Sequence, residues 1–208
     1  MSEENLADLR KRGPYAKTAN RRRSILEAAT KVFAERGYQA SSLREVATAA
    51  GISLSNLVHH FGSKEEILLA VLRQRDDDGT RASMSKTADD LYRQILDQAK
   101  TNETRSVLTA LFAVLSAEST TLGHPARDYF FARYRRVRED YVQVFSKLQE
   151  QGRLREGVDP QKAAASVVAL WDGLQLQWLL DPEQVSVAEH LHDFLDLLIT
   201  SSPAASLT

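Results

Sequence analysis

Ser53, Ser55, Asn56 and His59 lie within seven residues and carry hydroxyl, amide and imidazole groups. That donor and acceptor set suits reading the edges of base pairs, and an asparagine such as Asn56 can pair bidentately with an adenine. Arg44 joins them, and Leu54 is counted on the same face although the helical pattern turns it inward with Leu57. Around this group stand Ser42, His60 and Lys64, with Arg21 and Arg22 upstream, residue types that position a protein on phosphate oxygens. If Lys64 sits on a phosphate, Lys64→Ala should weaken all duplexes alike and flatten the salt dependence by about one unit, whereas Asn56→Ala should relax sequence preference.

The elements that would hold these groups are two short helices and a tight turn. Ser42 and Glu45 have capping-box spacing. Leu43, Val46 and Ala47 then share one apolar face. Gly51 supplies the backbone freedom of a helix C-terminus, Ile52 is a buried turn residue, and Ser53 caps a second helix. Helix, glycine turn, helix is the helix-turn-helix, whose second member enters the major groove. Upstream, Ile25, Ala28, Ala29, Val32 and Phe33 mark a helix over 21–36, closed by Gly37. Downstream, Ser63 and Glu66 repeat the capping-box spacing for a helix from Lys64 to about Asp77.

Charge follows the same division. Net charge is −1, yet residues 10–44 hold ten basic side chains against Glu27 and Glu35 alone. A basic segment on an acidic body is the footprint of a nucleic-acid binder, or else a solvated tail. Residues 1–18, broken by Gly13-Pro14, read as a flexible arm. It would lie along phosphates or a minor groove, or add only non-specific attraction.

The stretch Ala40-Ser-Ser-Leu-Arg-Glu-Val-Ala-Thr-Ala-Ala-Gly-Ile-Ser53, with Asn56-Leu-Val-His-His-Phe-Gly-Ser-Lys-Glu-Glu-Ile-Leu68, resembles the N-terminal domain of the TetR (tetracycline-repressor) family of transcriptional regulators. The resemblance runs from about Arg23 to Leu72. Val58 stands where the family usually has an aromatic, commonly Tyr, and Ser55 where it has Gly. The missing Tyr hydroxyl puts one phosphate contact in doubt, which His59 would take instead.

The resemblance implies an all-α fold of about nine helices. An N-terminal three-helix helix-turn-helix domain (19–78) would be followed by a helical effector-binding and dimerisation domain (79–201) and a frayed tail (202–208). The residues of 160–180 are apolar around most of the helix, as a helix buried on two sides must be. Val167, Leu170, Leu174, Gln177 and Trp178, with Leu191, Phe194, Leu195 and Leu198, are therefore expected to build a twofold four-helix interface, as the family's last two helices do. A large monomer core would use the same residues. An effector pocket is implied by the resemblance, with Phe112, Leu115, Glu118, Phe130, Tyr134, Trp171, Asp172 and Gln175 as candidates, though aromatic residues at helical spacing also make plain core.

No cysteine is present, which leaves neither disulfides nor thiolate metal sites and fits a reducing cytoplasm. The N-terminus lacks a signal-peptide pattern and no apolar run approaches a bilayer span, so a cytoplasmic location is expected. No catalytic motif, cofactor motif or metal pair appears. The expected function is a DNA-binding transcriptional regulator, more a repressor than an activator. It would bind a pseudo-palindromic double-stranded operator as a homodimer and be released by a small apolar or amphipathic effector. The rivals are a helical small-molecule binding protein with a vestigial DNA-binding head, and a helical-bundle enzyme using Glu118 or Asp172.

Overall fold

The computed structural model describes the backbone of residues 3–80 and 88–200 and the side chains of residues 18–76 and 93–200. Among these there are nine helices and no strand, with one isolated antiparallel bridge between Leu154 and Ile199. The chain divides into two compact units, Met1–Arg75 and Asp76–Thr208.

The first unit contains α1 (Glu3–Arg36), α2 (Leu43–Ala49), α3 (Leu54–Phe61) and most of α4 (Lys64–Thr80). Its core is Ile25, Ala29, Val32 and Phe33 from α1, Val46 and Ala47 from α2, Leu57 and Phe61 from α3, and Ile67, Leu68 and Leu72 from α4. Buried Tyr38 meets the Phe33 ring edge-on at 5.6 Å. The helix start expected near Arg21 is different here, because α1 is continuous from Glu3 through Gly13-Pro14. A proline removes one intrahelical donor and crowds the preceding turn, and here the helix runs through that break. The side chains of the basic residues at 10–17 lie outside the described ones.

The α2–α3 turn forms as its residues dictate. Glu45 Oε2 accepts from the Ser42 amide and hydroxyl, both at 2.8 Å, while the Ser42 hydroxyl accepts from the Glu45 amide at 3.3 Å. At the other end Gly51 has φ +64. The Ile52 amide reaches the Ala47 carbonyl at 3.0 Å and the Gly51 amide reaches Thr48 at 3.1 Å, the paired bonds that close a helix through a left-handed residue. Gly62 ends α3 differently, with φ +67 and a single bond from its amide to the Val58 carbonyl at 2.7 Å.

The second unit packs α5 (Ala88–Glu103), α6 (Ser106–Glu118), α7 (Arg127–Glu150), α8 (Pro160–Leu180) and α9 (Val187–Leu198). One core gathers Ile95, Phe145, Leu148, Val167, Leu174, Trp178, Leu191 and Leu195 from α5, α7, α8 and α9. Asp159 caps α8, accepting from the Lys162 amide at 2.9 Å, with Pro160 in the first turn. Pro125 lies in the α6–α7 connection, ahead of α7. The His124 carbonyl first takes the Arg127 amide at 3.0 Å and its ring nitrogen the Ala126 amide at 3.2 Å, so a turn closes before the helix begins.

Candidate functional site

The α3 helix is eight residues long and shows two different sides. Leu57 and Phe61 are 0% and 2% exposed, whereas Leu54 and Val58 are 36% and 42% exposed. Leu54 is therefore not carried inward with Leu57. It occupies the first helical position, where no preceding turn covers it, and lies outside with Ser53, Ser55, Asn56 and His59. The Ser53 hydroxyl accepts from the Asn56 amide at 3.2 Å and lies 3.1 Å from the Ser55 hydroxyl. That cap uses Asn56's backbone and not its side chain. The result is a surface of short hydrogen-bonding groups and two apolar ones.

The flanking cations divide into two kinds. Arg21 and Arg44 are exposed. Arg22 is exposed too, but it lies over the Phe61 ring at 4.2 Å and donates to the His60 carbonyl at 3.3 Å, steadying the end of α3. Lys64 is placed otherwise than on a phosphate. Its ammonium donates to the carbonyls of Tyr38 at 2.6 Å, Ser41 at 2.7 Å and Gln39 at 3.4 Å, and sits 4.3 Å from the centre of the Tyr38 ring. An ammonium has three protons, and these carbonyls account for them. Burial, and then the nearby Glu65 carboxylate, push the Tyr38 hydroxyl up to about 12.

Ser42 remains exposed but its hydroxyl serves the α2 cap. The Ser42 bonds, with Arg36 at 3.0 Å and Lys64 beyond, hold the Glu45 carboxyl below its usual range. His60 is half-buried and its ring meets that of His59 edge-on at 5.8 Å.

In the second unit the structure brings together part of the expected pocket set. Phe130 meets Phe112 at 5.3 Å and Tyr134 at 6.3 Å. The Tyr134 hydroxyl donates to Asp172 Oδ2 at 2.7 Å, joining α7 to α8. Burial, then that bond, push Tyr134 up to about 12, against a smaller opposing bond with Ser116. Gln175, one turn beyond Asp172, is 6% exposed, and its amide nitrogen has no hydrogen-bond partner. Leu115 is fully buried. Glu118 instead faces His124, 3.7 Å away in the α6–α7 connection. Trp171 packs against the α5–α7–α8–α9 core.

Three further residues at this site were not among the expected pocket residues. Tyr129 stacks edge-on with Phe130 at 5.2 Å. Arg133 lies 5.1 Å over the Phe112 ring and donates to Asp76, which Arg136 also reaches at 3.1 Å. Tyr141 is pushed up to about 12 by burial, although it keeps part of its surface accessible. Only the α7 spacing of Tyr134 and Tyr141, two turns apart, hinted that they share a side.

The expected dimer residues need the plainest correction. Val167, Leu174, Trp178, Leu191 and Leu195 are buried in this unit's own core, with Leu170, Phe194 and Leu198 packed against it. The first five fill the space between α5, α7, α8 and α9, while Leu170, Phe194 and Leu198 keep part of their surface accessible. Gln177 is exposed, as are Leu176 (52%), Leu180 (87%) and Leu197 (67%).

Two family models match the chain: the tetR family of bacterial regulatory proteins over residues 25–71, and the C-terminal part of BetI-type transcriptional repressors over residues 87–200. The chain is 29% identical to the HTH-type transcriptional regulator PksA of Bacillus subtilis (strain 168) over 80% of its own length and 82% of that protein's. It is 25% identical to the HTH-type transcriptional repressor DhaR of Mycobacterium sp. (strain GP1), covering 87% of itself and 93% of the relative. Among solved structures, an assigned transcriptional regulator from Saccharomonospora viridis in complex with choline aligns at 27% identity. Its TM-score is 0.70, over 88% of this chain and 100% of that one. NalD of Pseudomonas aeruginosa, the secondary repressor of the MexAB-OprM multidrug efflux pump, aligns at 25% identity and TM-score 0.70, over 88% of this chain and 98% of that one. With both units matched in order, the chain belongs to the TetR family of bacterial regulatory proteins and is a DNA-binding transcriptional regulator.

Proposed function

We propose that this regulator is a repressor that binds a pseudo-palindromic operator as a homodimer and is released when a small apolar or amphipathic molecule occupies the second unit. The observation that carries the reading is the outer side of α3. Its hydrogen-bonding side chains are exposed while both ends of the helix are fixed by side-chain and backbone caps. The charge of the two units supports it. The first holds thirteen basic and eight acidic side chains, net +5; the second holds fourteen and twenty, net −6, which together return the chain's −1. A net positive charge on the unit that carries α3 concentrates the attraction to phosphate there.

Repression is favoured by the names of DhaR and NalD. The effector site falls to the Phe112, Phe130, Tyr134 and Asp172 group, apolar walls with a few polar groups. The S. viridis relative holds choline. The twofold contact falls to the outward apolar positions of α8 and α9: Leu176, Leu180 and Leu197. A small-molecule binding protein with a vestigial head remains the rival, on the ground of Val58; the intact caps and the +5 unit weigh against it.

The test is selection of duplexes from random DNA at two salt concentrations. One enriched pseudo-palindrome, with half-sites about 34 Å apart and strong salt dependence, is the expected result. No enrichment by a folded protein refutes the reading. On the recovered site, Asn56→Ala should lose preference at one base pair per half-site, a discrimination of about 1–3 kcal/mol. Equal loss on every duplex sinks Asn56 as a base reader.

A further inference from the structure

Among the described residues of the first unit, the large apolar side chains left exposed are Leu54 and Val58, and both are on α3. Every other exposed large apolar residue of the described chain is in the second unit. The pair is four residues apart, one turn, so the two side chains stand one above the other on the same stripe. Hydrogen-bonding groups surround that stripe: Ser53 and Ser55 beside Leu54, His59 beside Val58, and Asn56 between them in sequence.

A helix offered to bulk water has no use for such a pair, and the core does not need it, since Leu57 and Phe61 already fill the inner side. Val58 also carries no polar atom, where a tyrosine would offer a hydroxyl to a phosphate. What it can give a major groove is apolar contact. The major groove presents one apolar group on its floor, the C5-methyl of thymine.

We infer that Leu54 and Val58 are specificity-determining residues that recognise thymine 5-methyl groups in each operator half-site. The inference rests on the DNA-binding reading of α3 and names what part of the base it reads. Four residues of helix advance about 6 Å along the axis, near the rise of two base-pair steps at about 3.4 Å each. One helix can therefore touch methyls on two nearby steps. The hydrogen-bonding residues beside them would read the neighbouring edges, so the site should carry thymines under Leu54 and Val58 and separate base pairs under Asn56 and His59.

The experiment compares two random-duplex libraries, one with thymine and one in which deoxyuridine replaces it throughout. Uracil pairs as thymine does and leaves the phosphates unchanged, so only the methyl is lost. The thymine library should yield one site, and the deoxyuridine library should enrich it weakly or not at all. On the recovered site, each critical thymine replaced by deoxyuridine should weaken binding roughly three- to fivefold, the value of one buried methyl. Leu54→Ala or Val58→Ala should erase that ratio at its own position. The ratio is taken within each variant, so a change in folding does not imitate it. If both libraries enrich the same site equally, the methyl reading is overturned while DNA binding stands. If neither enriches, both fall together.

Discussion

Replacing Lys64 by methionine keeps the apolar stem and removes the ammonium, so it asks what that charge holds. Two bonds at 2.6 and 2.7 Å run to the carbonyls of Tyr38 and Ser41, with Gln39 farther off at 3.4 Å and the Tyr38 ring beneath. Hydrogen bonds from a charged donor are worth roughly 1.5–3 kcal/mol each, and a partly exposed cation–π contact about 0.5–1. Lys64 is half-buried, so water can reach part of what the substitution frees. A net loss of about 2–3 kcal/mol is expected. In a chain of this size that corresponds to a fall in Tm of roughly 5–10 °C. The assay pairs urea unfolding with operator affinity measured across salt concentrations. The midpoint should fall, and affinity should drop at every salt concentration with the slope of log affinity against log salt unchanged. An unchanged midpoint, with a slope shallower by about 0.9, would refute the reasoning. It would put the ammonium on a phosphate instead of the 38–41 carbonyls.

Two further outcomes test the second unit. Burial, then the bond to Asp172, push the Tyr134 hydroxyl up to about 12 from its ordinary 10.0, so folding favours the neutral hydroxyl. The associated stability is complete below pH 10 and is lost as pH rises from about 10 to 12. The ultraviolet difference titration between the wild type and Tyr134→Phe should therefore show one phenol ionising near 12; a midpoint near 10 would remove Tyr134 from its buried bond to Asp172. At the outward side of α8, Leu176→Glu with Leu180→Glu should shift sedimentation from dimer towards monomer with the thermal midpoint of the isolated subunit kept. A dimer that survives both changes would mean these leucines are not the twofold contact.

What was legible in the chain, and what was not, divides by the range of the interactions involved. The Ser42–Glu45 box, Gly51 and the Ser53 cap are local bonds between residues three or four apart, and their spacing names them before any fold is known. The Tyr134–Asp172 bond spans 38 residues. Both residues could be suspected of polar work in an apolar region, but nothing in their spacing pairs them. The α8 helix shows the limit of periodicity. Apolar residues around most of its circumference imply contact on more than one side, and α6, α7 and α9 all pack on it inside one subunit. Leu176 and Leu180 are the large apolar residues of α8 left exposed.

Leu54 and Lys64 sharpen the point, because in each the physical premise held and its geometric assignment did not. A leucine three residues before Leu57 shares its face in a long helix. At the first position of an eight-residue helix, however, no preceding turn exists to cover it, and Leu54 is exposed. A lysine at a helix N-terminus, where the dipole disfavours a cation, demands a compensating oxygen. The sequence reading supplied a phosphate. The fold supplies carbonyls from the 38–41 segment, which lies 23–26 residues earlier and comes beside the start of α4 only in the folded unit. A cation out of place in one helix is a sound sign that oxygens lie close by, and whether those oxygens belong to the protein or to its partner is decided by tertiary structure alone. For Lys64 they belong to the protein, whereas Arg21, Arg44 and the outer side of α3 stay exposed.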